Sequence, residues 1–145
     1  MPHCYLLTTC NGSSVDQQST NVSLFSLVEN VSVPASATQR PNSLLPLEVH
    51  AYWRVGPTET KAPFQARFVM VNTTTGLETS GPVLNHRPVV ARFRTRTLGV
   101  PFPPVLGEYT LHVDRRATDE DPWSREAVGW PIHLRPVDKQ QMVTH

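Results

Sequence analysis

A regular alternation of apolar and polar residues over 47–55 constrains the fold more than any other feature of this chain. The segment reads Leu-Glu-Val-His-Ala-Tyr-Trp-Arg-Val. Side chains in a strand point to opposite faces with a period of two residues. Leu47, Val49, Ala51, Trp53 and Val55 therefore share one face, and the polar residues between them share the other. This pattern predicts a strand with one buried face.

Six other segments resemble this one, and turns rich in Pro and Gly separate them. The alternation predicts that Trp53, Phe68, Phe93, Tyr109, Leu111 and Ile132 are buried together. In the fifth strand, Val89 and Ala91 are also expected to point inward. Seven short strands with turns between them favour an all-β, antiparallel two-sheet sandwich with an immunoglobulin- or fibronectin-like Greek key. We assign the strands to about residues 4–9, 22–28, 47–55, 64–71, 88–96, 107–113 and 130–137.

Length and charge limit the classes of function. The 145 residues predict a single domain, 1–145, and the 14 prolines argue against long helices. A net charge of +1 favours neither nucleic acid nor a membrane as the partner. The first ten residues lack a basic region followed by an apolar core, so we expect no signal peptide and a cytoplasmic location.

Three segments fall outside the alternating pattern. Residues 34–46 are expected to form a long crossover loop. A charged insert at 114–129 has Asp121-Pro122 as a candidate helix start and Gly129 as a candidate stop, so one or two helical turns are expected there. A short polar tail ends the chain.

The order of these features resembles one uncharacterised bacterial β-sandwich family, a domain of unknown function. The resemblance lies in the N-terminal strand with Cys4, in Val33-Pro34 after the second strand, in the turn at 72–76 and in the stretch 103–109, Pro-Pro-Val-Leu-Gly-Glu-Tyr. The charged insert after Asp114 is longer than that pattern contains. The resemblance implies a cytoplasmic β-sandwich and carries no catalytic residues.

Three histidines are candidate metal ligands. His50, His112 and His133 each occupy an outward position, and an immunoglobulin-like order would place their strands side by side. Imidazoles on neighbouring strands could bind zinc, copper or nickel. The alternative is that they are three separate surface histidines.

Arginine and tryptophan supply the candidate binding residues. Arg92, Arg94 and Arg96 form a basic row on one strand face that could meet phosphates or an acidic protein surface. The alternative is a solvated face whose arginines pair with acids such as Glu29 or Glu48. Trp123, within the charged insert, is either an interface anchor or a cap on the open end of the sandwich.

No catalytic motif is present, so no catalytic residue and no cofactor are predicted. Cys4 and Cys10 on one straight strand would be about 20 Å apart, too far for a disulfide, which favours two free thiols. The sequence therefore favours a non-enzymatic module that binds another protein. The alternatives are a β-sandwich that binds a small ligand or metal, and a structural subunit of a phage-like or secretion particle.

Overall fold

The structure is a computed structural model that describes residues 1–34 and 44–137. Within these ranges the chain is all-β, apart from a 3₁₀ turn at Pro57–Glu59. None of the described residues forms a helix that is long and apolar enough to cross a membrane. The strands are β1 (His3–Val15), β2 (Val22–Leu27), β3 (Asn30–Val33), β4 (Leu44–Arg54), β5 (Phe64–Asn72), β6 (Glu78–Ser80), β7 (Leu84–His86), β8 (Arg92–Pro101), β9 (Gly107–Arg116) and β10 (Ser124–Pro136).

These strands form two sheets that pack against each other. Sheet A has the order β2-β1-β4-β8, and sheet B has the order β3-β10-β9-β5-β6, with β7 also paired to β5. The expectation of a wholly antiparallel sandwich is wrong in one place, because β3 runs parallel to β10. A parallel pair needs a long connection, and the 90 or so residues between these two strands supply it. Sheet B is therefore mixed.

The core lies between the sheets and confirms the predicted inward faces of β4, β5, β9 and β10. Trp53, Leu111 and Ile132 are completely buried, and Phe68 and Tyr109 nearly so. Phe93 is half-buried and packs against this cluster. Its ring lies 6.4 Å from that of Trp53, which is also in edge contact with Phe64.

The fifth predicted strand begins later than expected. Val89 and Ala91 are both exposed, contrary to their predicted inward positions, because the chain bends at 89–91 and β8 starts only at Arg92. The carbonyl of Pro88 accepts a hydrogen bond from the Lys61 amide, which holds this segment in a loop. The alternation of inward and outward side chains therefore holds in this strand only from Arg92 onward.

The predicted helical turns in the charged insert are absent. Residues 114–116 continue β9, residues 124–129 begin β10, and Gly129 lies inside that strand opposite His112. Ion pairs across the two strands, such as Arg115 with Glu126, favour the extended form. The short segment 117–123 is the only loop between them.

Two other boundaries differ from the predictions. β1 continues to Val15 and forms a hairpin with β2, although a loop was expected at 11–14. Most of the expected crossover loop, residues 35–43, lies outside the described residues, and Leu44–Pro46 belong to β4. The polar tail, 138–145, also lies outside the described residues. Cys4 and Cys10 are free and buried, as predicted.

Candidate functional site

The face of sheet A that points away from the core carries an unusual set of side chains. Val49, Ala51 and Trp53 of β4 point into the core, so the residues between them point outward. Strand pairing places outward residues of β1, β4 and β8 in three adjacent rows. The rows are Leu6–Tyr52–Arg94, Thr8–His50–Arg96 and Cys10–Glu48–Leu98.

Glu48 is the centre of this outer face. Although it points away from the core, its carboxylate is almost fully covered. It accepts hydrogen bonds from Ser13 Oγ at 2.7 Å, from Arg96 Nε at 2.9 Å and from Arg96 Nη2 at 3.0 Å. These donors, Arg96 foremost, lower the pKa of Glu48 from 4.5 to about 2. The carboxylate is therefore ionised at neutral pH.

His50 links Glu48 to a second arginine. Its ring is completely buried, with Nε2 2.9 Å from Glu48 Oε1 and Nδ1 2.7 Å from Arg94 Nη1. Because a guanidinium only donates hydrogen bonds, Nδ1 must accept and Nε2 must carry the proton. Burial lowers the pKa of His50, which agrees with a neutral ring. Arg94, His50 and Glu48 thus form one directional chain of hydrogen bonds.

A cysteine completes a group with the composition of a metal site. Ligand atoms of Cys10, Glu48 and His50 lie within 4.8 Å of one another. However, His50 Nε2 carries a proton while Nδ1 is occupied by Arg94, so neither nitrogen offers a free lone pair. The guanidinium of Arg96 on the carboxylate and that of Arg94 on His50 also repel a cation. Burial raises the pKa of the Cys10 thiol, which favours its protonated form. The donor chemistry fits a hydrogen-bonded ion cluster better than a metal site.

The three histidines predicted as metal ligands do not come together. β4 belongs to sheet A, whereas β9 and β10 belong to sheet B, so the core separates His50 from the other two. His133 lies opposite Glu108, four residues from His112 along β9, which corresponds to about 13 Å. His133 pairs with Glu108 at 3.1 Å, and His112 packs beside Gly129.

The three arginines of the predicted row do share one face, but their environments differ. Arg96 is bound to Glu48 and Arg94 to His50. Arg92 is exposed and lies directly opposite Arg54 of β4, another arginine. Among the ion pairs of the described residues, none involves Arg54, Arg92 or Arg94. This end of the face is therefore basic and lacks carboxylate partners within the described ranges.

Trp123 lies apart from the arginine row, over the outer face of sheet B. The guanidinium of Arg67 lies 4.5 Å from its ring centroid, and that of Arg116 lies 4.1 Å from it. Both arginines also bond neighbours: Arg67 donates to the buried Asp114, and Arg116 to Gln65. Trp123 is thus half-buried beside two arginines of the outer face of sheet B.

Several residues of the outer face of sheet A carry no signal of their role in the sequence. Leu6, Leu27 and Leu98 are exposed there, Leu27 being paired with Cys10. The rings of Tyr5 and Tyr52 are tilted against each other with centroids 6.1 Å apart, and the Arg54 guanidinium lies 5.0 Å from the Tyr5 ring centroid. Apolar residues of β1 and β8 lie beside the polar side of β4. The sequence does not reveal this surface, because the strand pairing that joins these residues is not visible in it.

The comparisons with known proteins add no assignment. No family model matches the chain, and no curated protein matches it.

Proposed function

We propose that this chain is a non-enzymatic β-sandwich interaction module that binds another protein through the outer face of sheet A. The observation that carries the proposal is the combination on one face of exposed leucines with tyrosines and arginines. Protein interfaces are enriched in aromatic residues and Arg, and depleted in Lys. The described rows of this face contain no lysine.

The connectivity supports an immunoglobulin-like sandwich in which β4 takes the place of the second strand, not of the third as the histidine prediction assumed. β4 and β8 are neighbours in one sheet, while β10, β9 and β5 follow one another in the other. The hydroxyl of Tyr109, near the start of β9, donates to the carbonyl of Val105 four residues upstream. That contact matches the tyrosine corner of such domains.

The buried network under the face favours binding by holding side chains in place. Glu48 and His50 each fix one guanidinium, so Arg94 and Arg96 lose little conformational freedom when a partner arrives. Ordering a long side chain at an interface costs about 0.5–1.5 kcal/mol. Exposed apolar neighbours, Leu27 and Leu98, lie at the two ends of the row that contains Glu48. These exposed leucines lie on both outermost strands of sheet A, so the surface extends over all four strands, which suits a protein partner better than a small ligand.

A site-specific crosslinking experiment tests the proposal. A photoreactive amino acid replaces Leu98, and in a matched control it replaces Leu77, which is 70% exposed against 64% for Leu98 but lies after β5 in sheet B. We expect position 98 to crosslink one protein in stoichiometric yield in source cells, and Leu98→Asp to abolish recovery of that protein. Equal crosslinking from position 77, or none from positions 6, 27 and 98, would refute the assignment.

A further inference from the structure

Strand β8 forms one edge of sheet A. It pairs with β4 on one side, and no strand of the described part of the chain pairs with its other side. The free side of an edge strand presents backbone N–H and C=O groups that another strand can bind. Over residues 92–98 the register with β4 is continuous, so this free side is regular.

The pairing with β4 identifies which residues present those groups. Val55 N donates to Ala91 O at 2.8 Å, so residues 55 and 91 form a hydrogen-bonded pair. In an antiparallel ladder such pairs alternate with non-hydrogen-bonded ones. Residues 93, 95 and 97 are thus also bonded to β4. The even-numbered residues direct their backbone groups to the free edge, and they are Arg92, Arg94, Arg96 and Leu98.

The same four residues extend their side chains over the outer face of sheet A. A strand added at this edge would place its hydrogen-bonded residues directly opposite them, with side chains on that face. Arg96 is already neutralised by Glu48, but Arg92 and Arg94 have no carboxylate partner among the described residues, and Arg54 adds a further positive charge. Acidic residues of an incoming strand would therefore be favoured opposite Arg92 and Arg94.

We propose that β8 is a docking edge for an extended acidic segment of the partner protein, which adds to sheet A as an antiparallel strand. Every strand pair in sheet A is antiparallel, which favours the same orientation for an added strand. The inference rests on the proposed function and specifies the chemistry and binding mode of the partner. The apolar side chain of Leu98 next to the arginine row and a net charge of +1 favour an acidic peptide over nucleic acid.

Hydrogen exchange of the free protein provides the first test. The amides of Phe93, Thr95 and Thr97 should be protected, while those of Arg94 and Arg96 exchange rapidly. The probe is a synthetic peptide of about eight residues that alternates Glu and Val, the length of an ordinary strand. On saturation with this peptide, the amides of Arg94 and Arg96 should become protected. Binding without new protection on β8 would overturn the strand-addition mode.

Modified peptides distinguish backbone pairing from charge attraction alone. N-methylation of the Glu residues, whose N–H groups would face β8, should abolish binding, whereas N-methylation of the Val residues should preserve it. A Lys/Val peptide of equal length should not bind. If both N-methylated peptides bind equally, the free edge of β8 is not the peptide-binding site. If a single-stranded oligonucleotide binds more tightly than the Glu/Val peptide, the acidic-protein assignment is wrong.

A protein variant with a matched control completes the test. Arg92→Glu should weaken peptide binding about tenfold or more, because attraction becomes repulsion. Arg135→Glu, an exposed arginine on β10 of sheet B, should leave it nearly unchanged. Arg96 is not replaced in this test, because it bonds Glu48 and its loss would also disturb the buried network. If no strand-forming peptide binds, the arginines only guard the edge against pairing, and this inference fails while the crosslinking result at position 98 still decides the proposed function.

Discussion

Replacing Glu48 by Gln tests whether the buried network on sheet A stabilises the fold. The carboxylate accepts four hydrogen bonds, one from Ser13, one from His50 and two from Arg96. A glutamine of the same shape removes the charge and turns an amide N–H₂ toward groups that are themselves donors. Hydrogen bonds to a charged group contribute about 1.5–3 kcal/mol. The variant therefore loses the charge-assisted pair with Arg96 outright.

The position of Arg96 sets the size of the loss. Its side chain is 46% exposed, so it can turn into water when Glu48 is gone and does not remain as a buried, unpaired charge. The larger penalty of about 3–5 kcal/mol for breaking a fully buried ion pair does not apply. We expect Glu48→Gln to lower the free energy of unfolding by about 2–3 kcal/mol, which corresponds to about 5–10 °C in the melting temperature.

The pH dependence checks the cause. The pKa of Glu48 is lowered from 4.5 to about 2 in the folded protein, so its contribution is fully present above pH 4.5 and is lost as the pH falls through 2. The stability difference between wild type and variant should shrink over that range. Urea denaturation at several pH values measures it. Glu108→Gln, an exposed acid paired with His133, is the control and should cost little. An unchanged stability at pH 7, or a difference that stays constant down to pH 2, would refute the reasoning.

Three further predictions concern the core, the corner and the thiols. Trp53→Ala should lower the free energy of unfolding, measured by urea denaturation, by about 3–5 kcal/mol, because the indole is completely buried between aromatic neighbours. A loss under about 1 kcal/mol would contradict the described core. Tyr109→Phe should lower the free energy of unfolding by about 1 kcal/mol, because the hydroxyl loses its hydrogen bond to a backbone carbonyl. Tyr52→Phe should leave it nearly unchanged, since the Tyr52 hydroxyl has no such bond among the described residues. Burial raises the pKa of Cys4 to about 12 and also raises that of Cys10. Both thiols should therefore resist iodoacetamide at pH 8 in the native protein and react with it in urea, and mass spectrometry measures the difference. Rapid native alkylation would show that the β1 thiols are accessible.

The sequence by itself determined which side chains enter the core. On β4, β5, β9 and β10 the two-residue period separates inward from outward positions, because a strand has only two faces. Trp53, Leu111 and Ile132 could therefore be placed without knowledge of any partner strand. The same rule placed Arg92, Arg94 and Arg96 together, since they lie on one strand.

The tertiary structure alone decided which outward residues meet. Period two assigns a face to a residue but does not say which strand lies beside it or in what register. That is why the three histidines were predicted as neighbours, although β4 and β9 belong to different sheets. It is also why the contact between Ser13 and Glu48 could not be foreseen, since 35 residues separate them in the chain. The buried acid, the neutral histidine and the free edge of β8 all follow from the choice of neighbouring strands, which depends on how both sheets pack over the whole core.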